Sequence, residues 1–149
     1  MINILSFKTA IGWITICESK KRLLSVRFGK KTNLGKSRYL NKIKDQIINY
    51  SRGKLKLFNI KILMDGSMLQ KNIWSELQNI PYGETKTYGE IAKKVNTSPR
   101  YVGNVCGQNK HLLVIPCHRV IRSDGSLGGF SGLGGINLKN KLIKMENNE

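Results

Sequence analysis

The feature that most constrains the fold is an apolar run over residues 112–121, which is interrupted at its centre by a proline and three polar residues. The first half, Leu-Leu-Val-Ile, is short and rich in branched side chains, which predicts a buried strand. Pro116 fixes its own φ and has no backbone N–H, so we expect the strand to stop or kink there. The thiol of Cys117, the imidazole of His118 and the guanidinium of Arg119 should then lie at the edge of a core.

Cys117 and His118 form a candidate nucleophile and base. A thiol reacts as its thiolate, which a neighbouring histidine or a positive environment favours. Adjacent residues of an extended chain point to opposite sides, so contact between the two requires an irregular backbone or a bridging water. The alternative is that Cys117 is a small core residue and His118 a structural histidine, which is the usual fate of a free cysteine. The pair alone does not decide between these.

Length and cysteine content narrow the class of protein. A chain of 149 residues holds one ordinary domain or two small ones. It has no apolar run of membrane-spanning length and no signal-peptide pattern at its start, so we expect a cytoplasmic protein with no membrane partner. We also expect it to act as a monomer. Cys17, Cys106 and Cys117 are odd in number and lack CxxC spacing, which argues against a disulfide framework and against a zinc module.

The charge is strongly basic and unevenly distributed. The 26 basic and 9 acidic residues give a net charge of +17, which predicts a polyanionic partner such as nucleic acid. Part of the lysine content is also what an AT-rich coding sequence produces. Residues 1–64 contain 15 basic and 2 acidic residues, a net +13, whereas residues 65–149 contain 11 and 7, a net +4. The excess lies away from Cys117, which indicates general attraction to a polyanion rather than base recognition.

The pattern of the chain predicts an α+β protein with two domains. Residues 2–7, 11–17 and 23–28 are short β-branched segments that predict a small antiparallel sheet. The apolar spacing over residues 37–50 predicts a helix closed by Gly53, and residues 55–63 are a further strand or an extended connector. We therefore interpret residues 1–64 as a sheet-and-helix support domain without catalytic residues, and residues 65–149 as a mainly helical domain.

The second domain contains a predicted helix-turn-helix. A helix with an apolar face precedes it; that face comprises Met68, Ile73, Trp74 and Leu77. Residues 85–95 predict a capped short helix, and Ser98 with Pro99 starts a second one that ends near Gly107. An ordinary helical hairpin is the more common reading of such a pair. Gly103, which lets a groove wall approach, and Arg100, which is free to project from the helix start, favour DNA binding.

Residues 116–119, Pro-Cys-His-Arg, entered from Val-Ile and left through valine, resemble the active-site signature of the O6-alkylguanine-DNA alkyltransferases. Residues 80–85 and 87–92 are similar to two further motifs of that family, so the resemblance covers the whole second domain. It implies irreversible, stoichiometric transfer of the alkyl group from O6-alkylguanine in double-stranded DNA to Cys117, with base flipping and without a metal or organic cofactor.

The resemblance also implies how the second helix meets DNA. It would lie in the minor groove, with Arg100 filling the gap that the flipped nucleotide leaves. Tyr101, Gly103 and Asn104 would contact the duplex, although Tyr101 and Asn104 are bulkier than the residues usual there. Asn109 matches an asparagine that braces the turn between this helix and the cysteine.

The same resemblance assigns the catalytic roles. His118 would accept the proton of the Cys117 thiol through water, and Glu146 would orient the imidazole. Tyr88 would donate a proton or a hydrogen bond to the departing guanine. Because three residues follow Glu146 at the end of the sequence, a frayed, solvated tail is the alternative for it. Arg119 would add to the positive environment of the thiol.

The glycine-dense stretch 122–135 resembles the loop that binds the flipped base in this family. Phe130 and Ser131 would lie against the base, together with backbone groups around Val120. Many family members have tyrosine where Phe130 stands, and the glycine-rich end of the loop is longer than the common pattern. The stretch lacks the Gly-Lys-Ser/Thr ending of a phosphate-binding loop.

Two other functions remain open from the sequence. A helix-turn-helix module that recognises damaged DNA without repairing it is one, but relatives of that kind replace the cysteine. A cysteine hydrolase that turns over is the other, but it leaves Arg100 and the helix-turn-helix unexplained.

Overall fold

The computed structural model describes residues 1–130 and 134–148. The chain forms two compact units: the first comprises Met1–Met64 with Lys110–Val114, and the second Asp65–Asn109 with Ile115–Glu149. A three-stranded antiparallel sheet lies in the first unit and most of the helices lie in the second. The predicted α+β class is confirmed. In the described part of the chain, no helix is long and apolar enough to cross a membrane.

The sheet of the first unit follows the predicted apolar segments. Its strands are β1 (Asn3–Thr9), β2 (Gly12–Ser19) and β3 (Arg22–Phe28), paired in the order β1-β2-β3. Between β2 and β3 the chain reverses at Lys20 and Lys21, which both have positive φ, as tight hairpin turns require. Ile14 and Ile16 of the central strand are fully buried. The alternation of apolar residues thus places one face of the sheet on the core of the unit.

Helix α1 (Arg38–Ser51) completes the first unit. Its N-terminus is capped by Ser37, whose side chain accepts a hydrogen bond from the backbone of Leu40. Gly53 adopts a left-handed φ of 73° just after the helix ends, as predicted. Residues 55–63 are an extended connector and not a strand, with a single bridge between Leu23 and Ile62.

The prediction of a strand over residues 112–115 is wrong. The chain pairs with β3 through one bridge, between Val26 and His111, and then turns, with Leu113 at a φ of 73°. The apolar run is buried, as predicted, but its backbone forms a turn instead of a strand. The burial of residues 112–115 could therefore be predicted from their hydrophobicity, whereas the path of their backbone depends on the residues that pack against them.

Among the described residues, the second unit contains four α-helices, two short strands and one turn of 3₁₀ helix. The helices are α2 (Met68–Gln78), α3 (Tyr88–Val95), α4 (Pro99–Gly107) and α5 (Gly135–Glu146). The strands β4 (Lys86–Thr87) and β5 (Val120–Ile121) pair in parallel. Met68 is 74% exposed, contrary to its predicted place on the apolar face of α2, because it is the first residue of the helix and lies beside the cap.

Helices α3 and α4, joined by the short segment 96–98, lie where the sequence predicts a helix-turn-helix. Thr87 caps α3 in a capping box with Glu90, and Ser98 caps α4 ahead of Pro99. Asn96 ends α3 in the left-handed conformation and lets the chain turn directly into the next helix. These local signals fix both helix starts, and hence the position of the exposed residues on α4.

Candidate active site

Cys117, His118 and Arg119 form one turn of 3₁₀ helix. The turn begins at Pro116, whose carbonyl accepts a hydrogen bond of 3.0 Å from the backbone of Arg119. The backbone is thus irregular at the cysteine, as expected from the sequence. All three side chains are buried, with exposures of 4%, 0% and 7% respectively.

Glu146, the last residue of α5, joins two of these buried side chains. Its Oε2 lies 2.7 Å from His118 Nε2. Arg119 donates from Nε to Oε1 at 2.8 Å and from Nη2 to Oε2 at 3.0 Å, and its Nη1 donates to the carbonyl of Ile80 at 2.8 Å. Glu146 is 7% exposed, so it does not belong to a solvated tail. A guanidinium held on both carboxylate oxygens fixes Glu146 in place for the imidazole.

The contact with Glu146 determines the proton arrangement of His118. Burial lowers the pKa of His118, although the hydrogen bond and the charge of Glu146 oppose this. The imidazole is therefore neutral at neutral pH. An ionised carboxylate can only accept, so Nε2 carries the proton and Nδ1 is the basic nitrogen.

The Cys117 thiol is protonated in its resting state. Burial raises its pKa; a hydrogen bond from the Asn109 side chain and the charge of Lys139 act in the opposite direction. Asn109 also donates from Nδ2 to the carbonyl of Ile115 at 2.8 Å, next to the turn that carries the cysteine. Reaction at Cys117 accordingly requires a base.

Cys117 opens onto a cavity of about 530 Å³. The residues that line it come from α3, α4, the cysteine turn and the glycine-rich loop: Tyr88, Pro99, Arg100, Gly103, Cys106, Gly107, Cys117, Arg122, Ser123, Gly128, Gly129 and Phe130. Arg100, Gly103 and Gly107 have the spacing of one helical face of α4. The thiol of Cys117 and one face of α4 therefore line the same cavity.

Tyr88, the first residue of α3, lines the cavity beside the glycine-rich loop. The backbone of Gly128 packs so closely on its ring that a Cβ there would lie 2.9 Å from the tyrosine hydroxyl. Lys139 donates a hydrogen bond of 3.2 Å to the same hydroxyl. Burial, followed by the nearby thiols of Cys106 and Cys117, raises the pKa of Tyr88 to about 12. The phenol is thus protonated and able to donate at neutral pH.

Comparison with known proteins agrees with this geometry. Residues 68–148 match the family model described as the 6-O-methylguanine DNA methyltransferase, DNA binding domain. The methylated-DNA–protein-cysteine methyltransferase of Methanosarcina acetivorans is 35% identical over 150 residues, which cover 94% of this chain and 95% of the relative. The chain belongs to the methylated-DNA–protein-cysteine methyltransferase family.

Solved structures extend the likeness of this methyltransferase to the whole chain. The crystal structure of Mycobacterium tuberculosis O6-methylguanine methyltransferase matches with a TM-score of 0.86 and 32% identity, covering 99% of this chain and 94% of that chain. The structure of the same mycobacterial protein in complex with DNA matches with a TM-score of 0.85 and 32% identity, covering 97% and 92%. This chain therefore shares the fold of the mycobacterial protein over nearly its whole length.

The structure of the methyltransferase brings together most of the side chains singled out in its sequence. Five line the cavity: Tyr88, Arg100, Gly103, Cys117 and Phe130. His118 and Glu146 are joined by their hydrogen bond and buried.

Other predicted residues lie elsewhere. Tyr101 is half-buried and Asn104 exposed, and neither lines the cavity. Val120 is fully buried in β5, where it pairs with Lys86, and its backbone N–H donates to the carbonyl of Cys117; it does not line the cavity. Ser131 lies outside the described residues.

Lys139 is the site residue that sequence reasoning missed. Its side chain is fully buried in α5, although lysine is rarely buried. The signal was its position, because residues 139, 142 and 146 share one face of the helix, and this face carries Leu142 and Glu146 inward. In residues 1–130 and 134–148, no group of three or more His, Cys, Asp or Glu side chains could hold a metal ion.

Proposed function

We propose that this methyltransferase repairs alkylated DNA by direct reversal, moving the alkyl group from O6 of guanine to Sγ of Cys117. One observation carries the proposal: Cys117 and the exposed Arg100 of α4 line the same cavity. His118, the residue after Cys117, is hydrogen-bonded to Glu146 in the core. A hydrolase requires the thiol and base but not Arg100, and a binding module requires Arg100 but not the thiol.

The reaction begins with a proton transfer. The thiol of Cys117 loses its proton through a water molecule to Nδ1 of His118, since Nε2 is engaged with Glu146. Glu146 stabilises the imidazolium that forms, and Arg119 holds Glu146 in position. Asn109 braces the turn through its bond to the carbonyl of Ile115.

The thiolate then attacks the alkyl carbon in line with the C–O6 bond. The S–C bond forms as the C–O6 bond breaks, and the electron pair stays on guanine. Tyr88 donates from its hydroxyl to the guanine as negative charge develops in the ring. The product is a thioether, which has no easy route back to a thiol, so each molecule acts once. All reacting atoms belong to the thiol and the substrate, and no cofactor takes part.

The target oxygen lies inside the base stack, so the nucleotide must be flipped into the cavity. Arg100 is exposed at the start of α4 and would fill the vacancy in the duplex. A Cβ at Gly103 would meet nothing closer than 3.9 Å, so packing within the protein does not require glycine there. A helix face without a side chain at this point lets the duplex approach. Tyr101 and Asn104, on the same helix, would contact the flanking backbone.

The flipped base would lie between Tyr88 and the glycine-rich loop. Phe130 lines the cavity and offers an apolar ring for it, without the hydroxyl of a tyrosine. The backbone carbonyl of Val120 would accept from the exocyclic amine of guanine. The contribution of Ser131 stays a prediction.

The two parts of the chain would divide the work. Residues 65–149 carry DNA binding and alkyl transfer, and residues 1–64 support them and supply general attraction to DNA through their net charge of +13. We infer that the protein acts as a monomer, and that it works in the cytoplasm on duplex DNA, associated with the nucleoid in a prokaryote.

The mass of the intact protein after incubation with a duplex containing one O6-methylguanine tests the proposal. The expected result is one added methyl group, which peptide mapping locates on Cys117. Cys117→Ala should gain nothing, whereas Cys106→Ala, which removes the other thiol of the cavity, should still be methylated. Tight, selective binding of the lesion without a mass change would favour a damage-recognition module. A methyl group on Cys106 would also contradict the assignment.

A further inference from the structure

The first unit contains a groove of its own, with two lysines and a tryptophan in its wall. The groove has a volume of about 640 Å³. Its lining residues come from β1, β2 and the loop that follows β3: Ser6, Trp13, Lys30, Lys31, Thr32 and Asn33. The four residues from the loop are exposed, so their polar groups are available to a partner.

Lys30 is held at this groove by the tryptophan. Its Nζ lies 4.7 Å from the centroid of the Trp13 ring, within the range of a cation–π contact. An exposed lysine normally loses rotamer freedom when it binds a ligand, which weakens binding. Because Trp13 already restricts this side chain, the ammonium is partly ordered before any partner arrives.

The loop after β3 is fastened to the edge strand β1. The backbone N–H of Ser6 donates to Oδ1 of Asn33 at 2.8 Å, and the backbone N–H of Lys31 donates to Oγ of Ser6 at 3.2 Å. Ile4 and Leu34 exchange two backbone hydrogen bonds, of 2.8 and 2.9 Å. The lysines of the groove are therefore carried by a backbone that is fixed on the sheet.

Two further cations lie on the same face of the sheet. Lys8 pairs with Trp13, and Thr15 pairs with Ser6 on one side and with Arg27 on the other. Residues directly opposite each other in an antiparallel sheet share a face, so Lys8 and Arg27 lie on the face that forms the groove. Both are exposed. Together with the two lysines of the loop, this surface carries four cations.

Carboxylates are absent from the described lining of this groove. Residues 1–64 contain two acidic residues, Glu18 and Asp45. Glu18 is 4% exposed and accepts a hydrogen bond of 2.7 Å from the Asn3 side chain, and Asp45 lies in α1. The surface is therefore positive, and a polyanion complements it.

We propose that this groove is a second DNA contact, which binds the phosphate backbone of duplex DNA through Lys30 and Lys31. The hydroxyls of Ser6 and Thr32 are further donors of the kind that phosphates accept. Lys30 covers the ring of Trp13, which favours a phosphate over a stacked base as the bound group. This contact extends the proposed function, since it takes DNA as the partner, but it does not depend on alkyl transfer.

The salt dependence of binding to an unmodified duplex tests the groove. Each phosphate contact contributes about 0.9 to the slope of log affinity against log salt concentration. Fluorescence anisotropy over a range of salt concentrations measures this slope for the native chain and for the double variant Lys30→Gln with Lys31→Gln. The variant should bind more weakly, with a slope that is smaller by about 2.

Lys42→Gln with Lys54→Gln is the matched control. Both lysines are exposed residues of the first unit that do not line the groove, and the control removes the same charge. Its slope should change by less than about 0.5, because no phosphate contact is lost. Attraction through net charge alone predicts the same change in both double variants.

The emission of Trp13 gives a second measurement that leaves the lysines intact. The chain has two tryptophans, and Trp74→Phe removes the one that is buried in α2. At constant ionic strength, saturating unmodified duplex should reduce the quenching of Trp13 by iodide at least about twofold, because bound phosphates repel the anion.

Equal slopes for the two double variants would overturn the proposed contact and leave only the attraction through net charge. Iodide quenching of Trp13 that does not change with DNA would also overturn it. Both measurements use unmodified duplex, so they are separate from the test of alkyl transfer. If the native protein gains no methyl group from a lesion duplex, the proposed function fails, whereas the groove is decided by the slopes and the quenching.

Discussion

At the scale of single residues, Glu146 determines the chemistry of the candidate site. One carboxylate holds the imidazole of His118 and the guanidinium of Arg119, and all three side chains are buried. Its position at the end of α5 means that the last turn of this helix fixes the tautomer of His118, the proposed base for Cys117. The family resemblance of the sequence predicted the pairing of Glu146 with His118 but not the two-point contact with Arg119.

We predict that Glu146→Gln lowers both stability and transfer. It leaves the charge of Arg119 buried without a carboxylate, which should reduce the free energy of unfolding by about 3–5 kcal/mol. The amide is also a weaker partner for the imidazolium, so transfer at saturating DNA should slow at least about tenfold. Urea unfolding and single-turnover kinetics measure the two effects.

Glu84→Gln provides the control, since Glu84 is exposed and its change should affect neither quantity. A Glu146→Gln protein with native stability would show that the contact with Arg119 does not matter to the fold.

At the scale of elements, the glycine-rich loop and the start of α3 depend on each other. We predict that Gly128→Ala displaces Tyr88, because a Cβ would lie 2.9 Å from its hydroxyl and the φ of 72° is already unfavourable for alanine. Transfer should slow about tenfold or more, since the phenol no longer faces the base.

Gly125→Ala is the matched control for this loop. Gly125 also has a positive φ, of 87°, but a Cβ there would meet nothing within 4 Å. Gly125→Ala should lower the free energy of unfolding by about 1 kcal/mol, because alanine disfavours a positive φ, and should keep the native transfer rate. Equal rates for the two alanine variants would contradict the close packing on Tyr88.

In α4, we predict that one substitution, Gly103→Ala, raises stability and lowers DNA affinity. Gly103→Ala should raise the free energy of unfolding by about 0.5–1 kcal/mol, because alanine favours a helix interior and a Cβ fits there at 3.9 Å. The same methyl group would stand between α4 and the duplex, so affinity for DNA should fall. Fluorescence anisotropy with a lesion duplex measures this.

Gly89→Ala, in α3 and outside the cavity, should leave DNA affinity unchanged. Gly103→Ala with native affinity would show that the duplex does not approach α4 at this residue.

The sequence predicts an element well when the contacts that determine it are between residues close in sequence. Helices α3 and α4 were predictable because their caps, Thr87 with Glu90 and Ser98 with Pro99, are local to the chain. The path of residues 112–115 was not, because Leu113 turns in response to neighbours distant in sequence. Lys139 was missed for the same reason, since its value lies in a hydrogen bond to Tyr88, which precedes it by 51 residues.

At the scale of the whole molecule, each compact unit contains one buried histidine that makes stability depend on pH. His111 bonds through Nε2 to the carbonyl of Leu23 in the first unit, and His118 binds Glu146 in the second. Burial lowers the pKa of both imidazoles below the ordinary value of 6.5. The unfolded chain therefore takes up protons at a pH where the folded chain does not.

We predict that the free energy of unfolding falls as the pH is lowered below about 6.5, by up to about 1.4 kcal/mol per pH unit for each histidine. Urea unfolding between about pH 7.5 and about pH 5.5 measures it. His111→Gln should reduce the slope, because one of the two groups no longer titrates. Stability that stays constant or rises toward the acidic end would contradict the neutral, buried state of both rings.

The count of guanines repaired per protein molecule tests the central claim most directly. The protein is mixed with a large molar excess of duplex containing O6-methylguanine, and restored guanine is followed until it stops increasing. Irreversible transfer to Cys117 predicts a plateau at one guanine per molecule, with every protein molecule methylated at that thiol. Repair that continues beyond one guanine per molecule, with Cys117 unmodified, would contradict the account and indicate an enzyme that turns over.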